Sequence, residues 1–314
     1  MDLFLNESRG RLQFKEMLGQ ANHLIVTALV GLEAVESGLI TAAPPDLRAA
    51  WSPKNVVNSA RRSRRLILDM VLVRAVDAVD VYIRSARRSP SLIQNEMVRN
   101  RIDAAGRSVM QKVLALEDAY GESQPVTFSL VFVMIAWRNK SAHHEADTIV
   151  EERHRRILKE NATQIASNYR NLDVDRLLDG FDESEPTFKE CASLISAAQN
   201  FVAGLENELF AGLDEGQYLR ELIHKSPTEL SGDSAQAYRK KRIQSVWGRD
   251  PSDRTRAVIR HLRQFGISDQ NRAENRRLLN NTTGGSLMVA KFPSALIAKL
   301  CEMTPNEVNS WLEE

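Results

Sequence analysis

Apolar residues set three and then four apart, repeated through one long segment after another, restrict this chain to helices. Between residues 12 and 35 they fall at Leu12, Phe14, Met17, Leu18, Ala21, Leu24, Ile25, Ala28, Leu32 and Val35, which traces one face of a helix. The spacing returns after Glu185-Pro186 at Phe188, Cys191, Leu194, Ile195, Ala198, Phe201, Val202, Leu205 and Leu209. No segment of this half alternates apolar with polar residues between hairpin turn signals. Amphipathic helices bury their stripes against one another, so the expected fold class is all-α.

Between these segments the punctuation is that of further helices. Ala43-Pro44-Pro45-Asp46 ends the first. Ser52-Pro53 then offers a capping hydroxyl and a preset first-turn φ for a second that runs to about Arg88. Its first half carries Arg61, Arg62, Arg64 and Arg65; its second mixes Val71, Val73, Val76, Val79 and Ile83 with Asp77 and Asp80. The valine-rich part imitates a strand, but its length and lack of turn residues favour a helix. After Ser89-Pro90 the pattern predicts a helix over 96–119 ending near Gly121, then an apolar helix opened by Pro125, and a charged helix over 148–169. These elements suggest a helical bundle over residues 1–212 and a small basic helical module over 213–314.

A chain of 314 residues, 43% hydrophobic and 26% charged, can bury a sizeable core. Cys191 and Cys301 form no CxxC pair, so neither a zinc site nor a redox centre is expected, and both thiols should be reduced and buried in helices. The start of the chain has no basic segment followed by a long apolar one, and the run 128–137 is far short of the roughly 20 residues that cross a bilayer. A soluble cytoplasmic protein without a membrane partner is therefore expected.

The formal net charge is only +1, so nucleic-acid contacts would have to come from local clusters. Residues 239–299 hold 14 Lys and Arg against 4 Asp and Glu. Arg239, Lys240, Lys241 and Arg242 make this stretch a candidate RNA-binding surface; a solvated charge run balancing a more acidic N-terminal part is the plainer reading. His154, in Arg153-His154-Arg155-Arg156, and His261, in Arg260-His261-Leu262-Arg263, both read as exposed basic surface.

The end of the chain, residues 294–312, resembles a helix-turn-helix, with Ile297, Ala298, Cys301, Met303, Val308 and Trp311 where such a motif packs its helices. Thr304, Pro305 and Glu307 predict a capping box with proline at the first helical position. Glu302 replaces the usual turn glycine, and the second helix carries Asn306, Asn309 and Ser310 but no cation for a phosphate. Packing or partner binding is as good an expectation here as DNA reading.

The residues with the most chemistry follow the apolar run 128–137: Arg138-Asn139-Lys140-Ser141-Ala142-His143, an RNxxxH string. Metal-free RNA cleavage requires moving the 2′-hydroxyl proton, stabilising charge on phosphorus and protonating the leaving oxygen. An imidazole and a guanidinium cover these tasks. Five positions on a helix set Arg138 and His143 about 140° apart, so one helix face does not carry both. A cleft between two protomers could collect them. The plain alternative is a cationic cap of Arg138, Lys140, His143 and His144 on the helix's C-terminal end. His143, His144, Glu145 and Asp147 also raise a metal hypothesis, but no second ligand group stands at a recognisable spacing, and no metal is assigned.

The string and the helices before it resemble the HEPN superfamily, whose active members are all-helical, metal-independent endoribonucleases. The resemblance implies a catalytic set at Arg138, Asn139 and His143, no cofactor, and a symmetric homodimer with a composite site; Asn139 would be an orienting or structural amide rather than a proton carrier, and Lys140 within the string and His144 beside it are candidate RNA contacts. It implies a toxin or phage-defence effector leaving 2′,3′-cyclic phosphate or 3′-phosphate ends, held in check by an antitoxin or another defence-system partner protein. The alternatives from other classes are a non-catalytic nucleic-acid-binding regulator using the C-terminal module, and a helical scaffold. No GxxxxGK phosphate loop or GxSxG elbow is present.

Overall fold

The computed structural model describes residues 1–19, 21–43, 45–47, 50–142, 149–183, 186–227, 230–272 and 288–313. These are mostly helical, as the apolar spacing requires. The residues fall into two compact units that do not follow chain order. One contains Gln13–Asp80 and Ala105–Val202, the other Met1–Leu12, Val81–Ala104 and Ala203–Glu314.

The first unit holds most of α1 (Arg9–Leu18), α2 (Ala21–Glu36), the first part of α3 (Val56–Arg87), α5 (Val109–Tyr120), α6 (Pro125–Ala142), α7 (Glu152–Glu160), α8 (Ala162–Asn168), α9 (Val174–Glu183) and the start of α10 (Phe188–Ala211). Its core centres on α6, where Phe128 and residues 130–137 are all buried. Phe128 meets Phe201 edge-on at 5.0 Å, and Trp137 meets Phe181 edge-on at 5.8 Å. Full burial of each such side chain is worth roughly 1.5–3 kcal/mol, which explains why a run without an amphipathic stripe still makes a helix.

Several predicted helices are divided. The stretch 12–35 spans α1 and α2 with Gly19 between them, where any Cβ would lie 2.5 Å from the Lys15 carbonyl oxygen. The stretch 96–119 becomes α4 (Glu96–Ala104) and α5, because Gly106 adopts a φ of +55° and Ser108 caps the Gln111 amide. The charged helix becomes α7 and α8. The cap ahead of α3 is Asn55, which accepts from the Asn58 amide at 2.9 Å, and not Ser52. Helix α9 had no counterpart in the sequence reading. By length and composition, residues 9–36 are apolar enough to span a membrane, and only 12% of their most apolar window is buried.

The other unit contains α4, α11 (Glu215–His224), α12 (Gly232–Trp247), α13 (Pro251–Arg263), α14 (Ser294–Glu302), α15 (Pro305–Trp311) and a small sheet. In that sheet β1 (Leu3–Leu5) runs between β2 (Ile267–Ser268) and β3 (Ala290–Phe292), antiparallel to both. The N-terminal strand thus completes the C-terminal unit, with Leu3 and Leu5 buried. Behind it, buried Glu206 accepts from Ser8 Oγ at 2.5 Å and from Arg11 Nη1 at 3.4 Å, partners that offset only part of the burial that pushes its carboxyl up. Trp247, fully buried, donates through Nε1 to the Leu300 carbonyl at 2.9 Å. The predicted capping box is present: Thr304 and Glu307 exchange bonds at the head of α15, behind Pro305.

Candidate active site

Helix α6 carries the RNxxxH string out of the core. Trp137 is 1% exposed, whereas Arg138, Asn139 and Lys140 are half-buried. The guanidinium of Arg138 is oriented twice, by its Nη1 donating to Asn139 Oδ1 at 3.1 Å and by Asp77 of α3 at 3.7 Å from Nη2. Its Nε is buried and has no partner among the described residues. Asn139 thus holds the guanidinium of the residue beside it. Asp77, on the helix that packs beside α6, is a positioning residue that no motif announces.

The rest of the string is bound to its neighbours. Ser141 Oγ donates to Asp69 of α3 at 2.9 Å. Lys140 Nζ donates to the Phe181 and Asp182 carbonyls at 2.8 and 2.9 Å and lies 4.9 Å from the Phe181 ring centre. It thus caps the C-terminal end of α9, which the helix dipole favours; one of its three N–H groups is left for another acceptor. His143 and His144 lie outside the described residues, as do Glu145 and Asp147.

Two histidines read as surface are in fact interior. His154 is 1% exposed and stacks on Phe132 at 4.2 Å. Its Nδ1 is 3.1 Å from Ser129 Oγ, whose own proton goes to the Pro125 carbonyl. The hydroxyl therefore accepts from Nδ1–H, leaving Nε2 bare, and Nε2 has no partner among the described residues. Burial first, and Arg153 second, push its pKa down to about 4. With Glu117 Oε1 3.8 Å from the same nitrogen, these residues have the composition of a hydrolase triad. Their geometry is not one, because both partners address Nδ1 and the group is sealed from solvent. His261 is 6% exposed and likewise pushed down to about 4, by burial and then by Arg242. The spacing places them inside: His154 and Leu158 of α7, and Val258, His261 and Leu262 of α13, fall on single helix faces.

In the basic block, Lys240 and Lys241 are exposed on α12. Arg239 bonds the His224 ring, and Arg242 donates to the Ile223 carbonyl and lies against the Tyr238 ring. Cys191 and Cys301 are free and buried, as expected. No group of three or more His, Cys, Asp or Glu able to hold a metal occurs among the described residues. No family model matches the chain, and neither does any curated protein or solved structure.

Proposed function

We propose that this protein is a metal-independent endoribonuclease of HEPN type, with Arg138 binding the scissile phosphate and His143 carrying the proton. The observation that supports it most is the state of Arg138: a largely buried guanidinium, its side chain 21% exposed, at the end of a buried helix and oriented by Asn139 and Asp77. Such a fork suits phosphate oxygens and has already lost the freedom that binding would otherwise cost.

The reading includes a homodimer. Helices α2 and α3, tied together by Arg64–Glu33 at 2.9 Å and Arg61–Glu36 at 3.1 Å, leave Leu24, Val26, Val30, Leu66 and Met70 between 43 and 64% exposed. Apolar residues left open on adjacent helices are those a second copy would cover. RNA is the substrate, a toxin or defence effector the role, an antitoxin-like protein the partner and the cytoplasm the compartment. Cells expressing the wild type should stop growing while those expressing His143→Ala grow, and the cleaved RNA should carry 2′,3′-cyclic phosphate ends. Equal growth of the two strains at equal protein level would refute the reading.

A second reading has its own support. The capped helix pair α14–α15 has the sequential arrangement of a helix-turn-helix, beside a chain rich in arginine. A nucleic-acid-binding regulator would show salt-dependent, sequence-selective DNA binding and no RNA cleavage.

A further inference from the structure

The face between α12 and α13 forms a groove of about 490 Å³, within the size range of small-ligand sites. Its charge is one-sided. Arg242, Arg249, Arg256 and Arg260 line it against a single carboxylate, Asp253, a surplus of three positive charges. Asp253 holds Arg256 at 2.6 Å. Arg249, exposed, donates its Nε to the Ser245 carbonyl at 3.0 Å, and its terminal nitrogens have no bond among the described residues. Arg260 is exposed and has no hydrogen-bond or ion-pair partner among the described residues. Guanidinium groups gathered in a concavity with so little acid cost repulsion, which a bound anion relieves.

The same groove offers more than charge. Tyr238, 40% exposed with Arg242 over one face of its ring, and Phe265, half-buried, stand on its wall, and a nucleobase would stack on the other face of Tyr238. His261 also lines it, with a buried Nε2 that lacks a hydrogen-bond partner among the described residues. At neutral pH this ring is uncharged, so it adds nothing to the positive charge of the groove.

We infer that the α12–α13 groove binds a free nucleotide carrying two or more phosphates, with Arg249 and Arg260 on the phosphates and Tyr238 against the base. A chain of phosphates matches the surplus charge, and the groove is of a size to take one nucleotide. This assignment is independent of the nuclease reading: it involves neither Arg138 nor His143.

Calorimetric titration of the full chain with ATP, inorganic tripolyphosphate and a twelve-nucleotide single-stranded RNA tests it. The expected result is saturable ATP binding that weakens with salt, falls about tenfold or more in Arg249→Ala/Arg260→Ala, and falls in Tyr238→Ala while tripolyphosphate binding does not. Circular dichroism melts should match the wild type, since all three side chains are exposed. Absence of saturable ATP binding, affinity unchanged in the double variant, or binding of the RNA but not of ATP would each overturn the assignment.

Discussion

Replacing His154 by Phe should flatten the acid dependence of stability, and the size of the change follows from the ring's surroundings. The imidazole is sealed against Phe132, with Nδ1 on Ser129 and Nε2 without a described partner, so a second proton would create an unpaired buried N–H. Its pKa is lowered to about 4 in the folded protein, against about 6.5 when unfolded. The unfolded state therefore binds more protons throughout this window. Stability is full above the unfolded value, declines as pH falls below about 6.5, and has lost its whole contribution once pH passes the folded value. Between pH 7 and pH 5 the loss amounts to about 2 kcal/mol from this one ring. Phenylalanine keeps the stacking on Phe132, and Ser129 keeps its bond to the Pro125 carbonyl. Urea unfolding followed by circular dichroism at the two pH values measures the difference. The variant should lose about 2 kcal/mol less than the wild type on going to pH 5. An identical loss in both proteins would refute the claim that this histidine is held neutral by burial.

Two other outcomes follow from local geometry. Thr304→Ala removes the hydroxyl that closes the capping box and should cost about 1 kcal/mol, read as faster amide exchange across residues 305–311. Cys191, whose thiol is pushed up chiefly by burial and then by Glu190, should stay unreactive to a disulfide reagent in the native protein at pH 8 and react fully in guanidinium.

The sequence was most readable where one cause dominated. Helices α6 and α10 could be placed because long apolar segments leave no other way to pair the backbone, and the α15 cap because three residues specify it together. Strand β1 could not be found: three residues carry no period, and its partners lie more than 260 positions away. Helix breaks at Gly19 and Gly106 were missed because apolar spacing runs across them while the backbone does not. His154 and His261 were misassigned by their charged neighbours, although the residues three and four positions away placed them inside. In the candidate site Arg138 and Asn139 were legible as a motif, whereas Asp77, which orients the arginine, was visible only as one acid among valines. Lys140 shows the limit of reading charge alone, since its ammonium is largely engaged by the end of α9.

Arg138 and His143 are proposed to cut RNA without a metal. Purified wild-type protein, Arg138→Ala and His143→Ala should be incubated with total RNA in excess EDTA and the initial rates compared. Wild-type protein should cleave at a rate indifferent to the chelator and both variants should not; no cleavage by the wild type, or cleavage equal to it in either variant, would overturn the nuclease assignment.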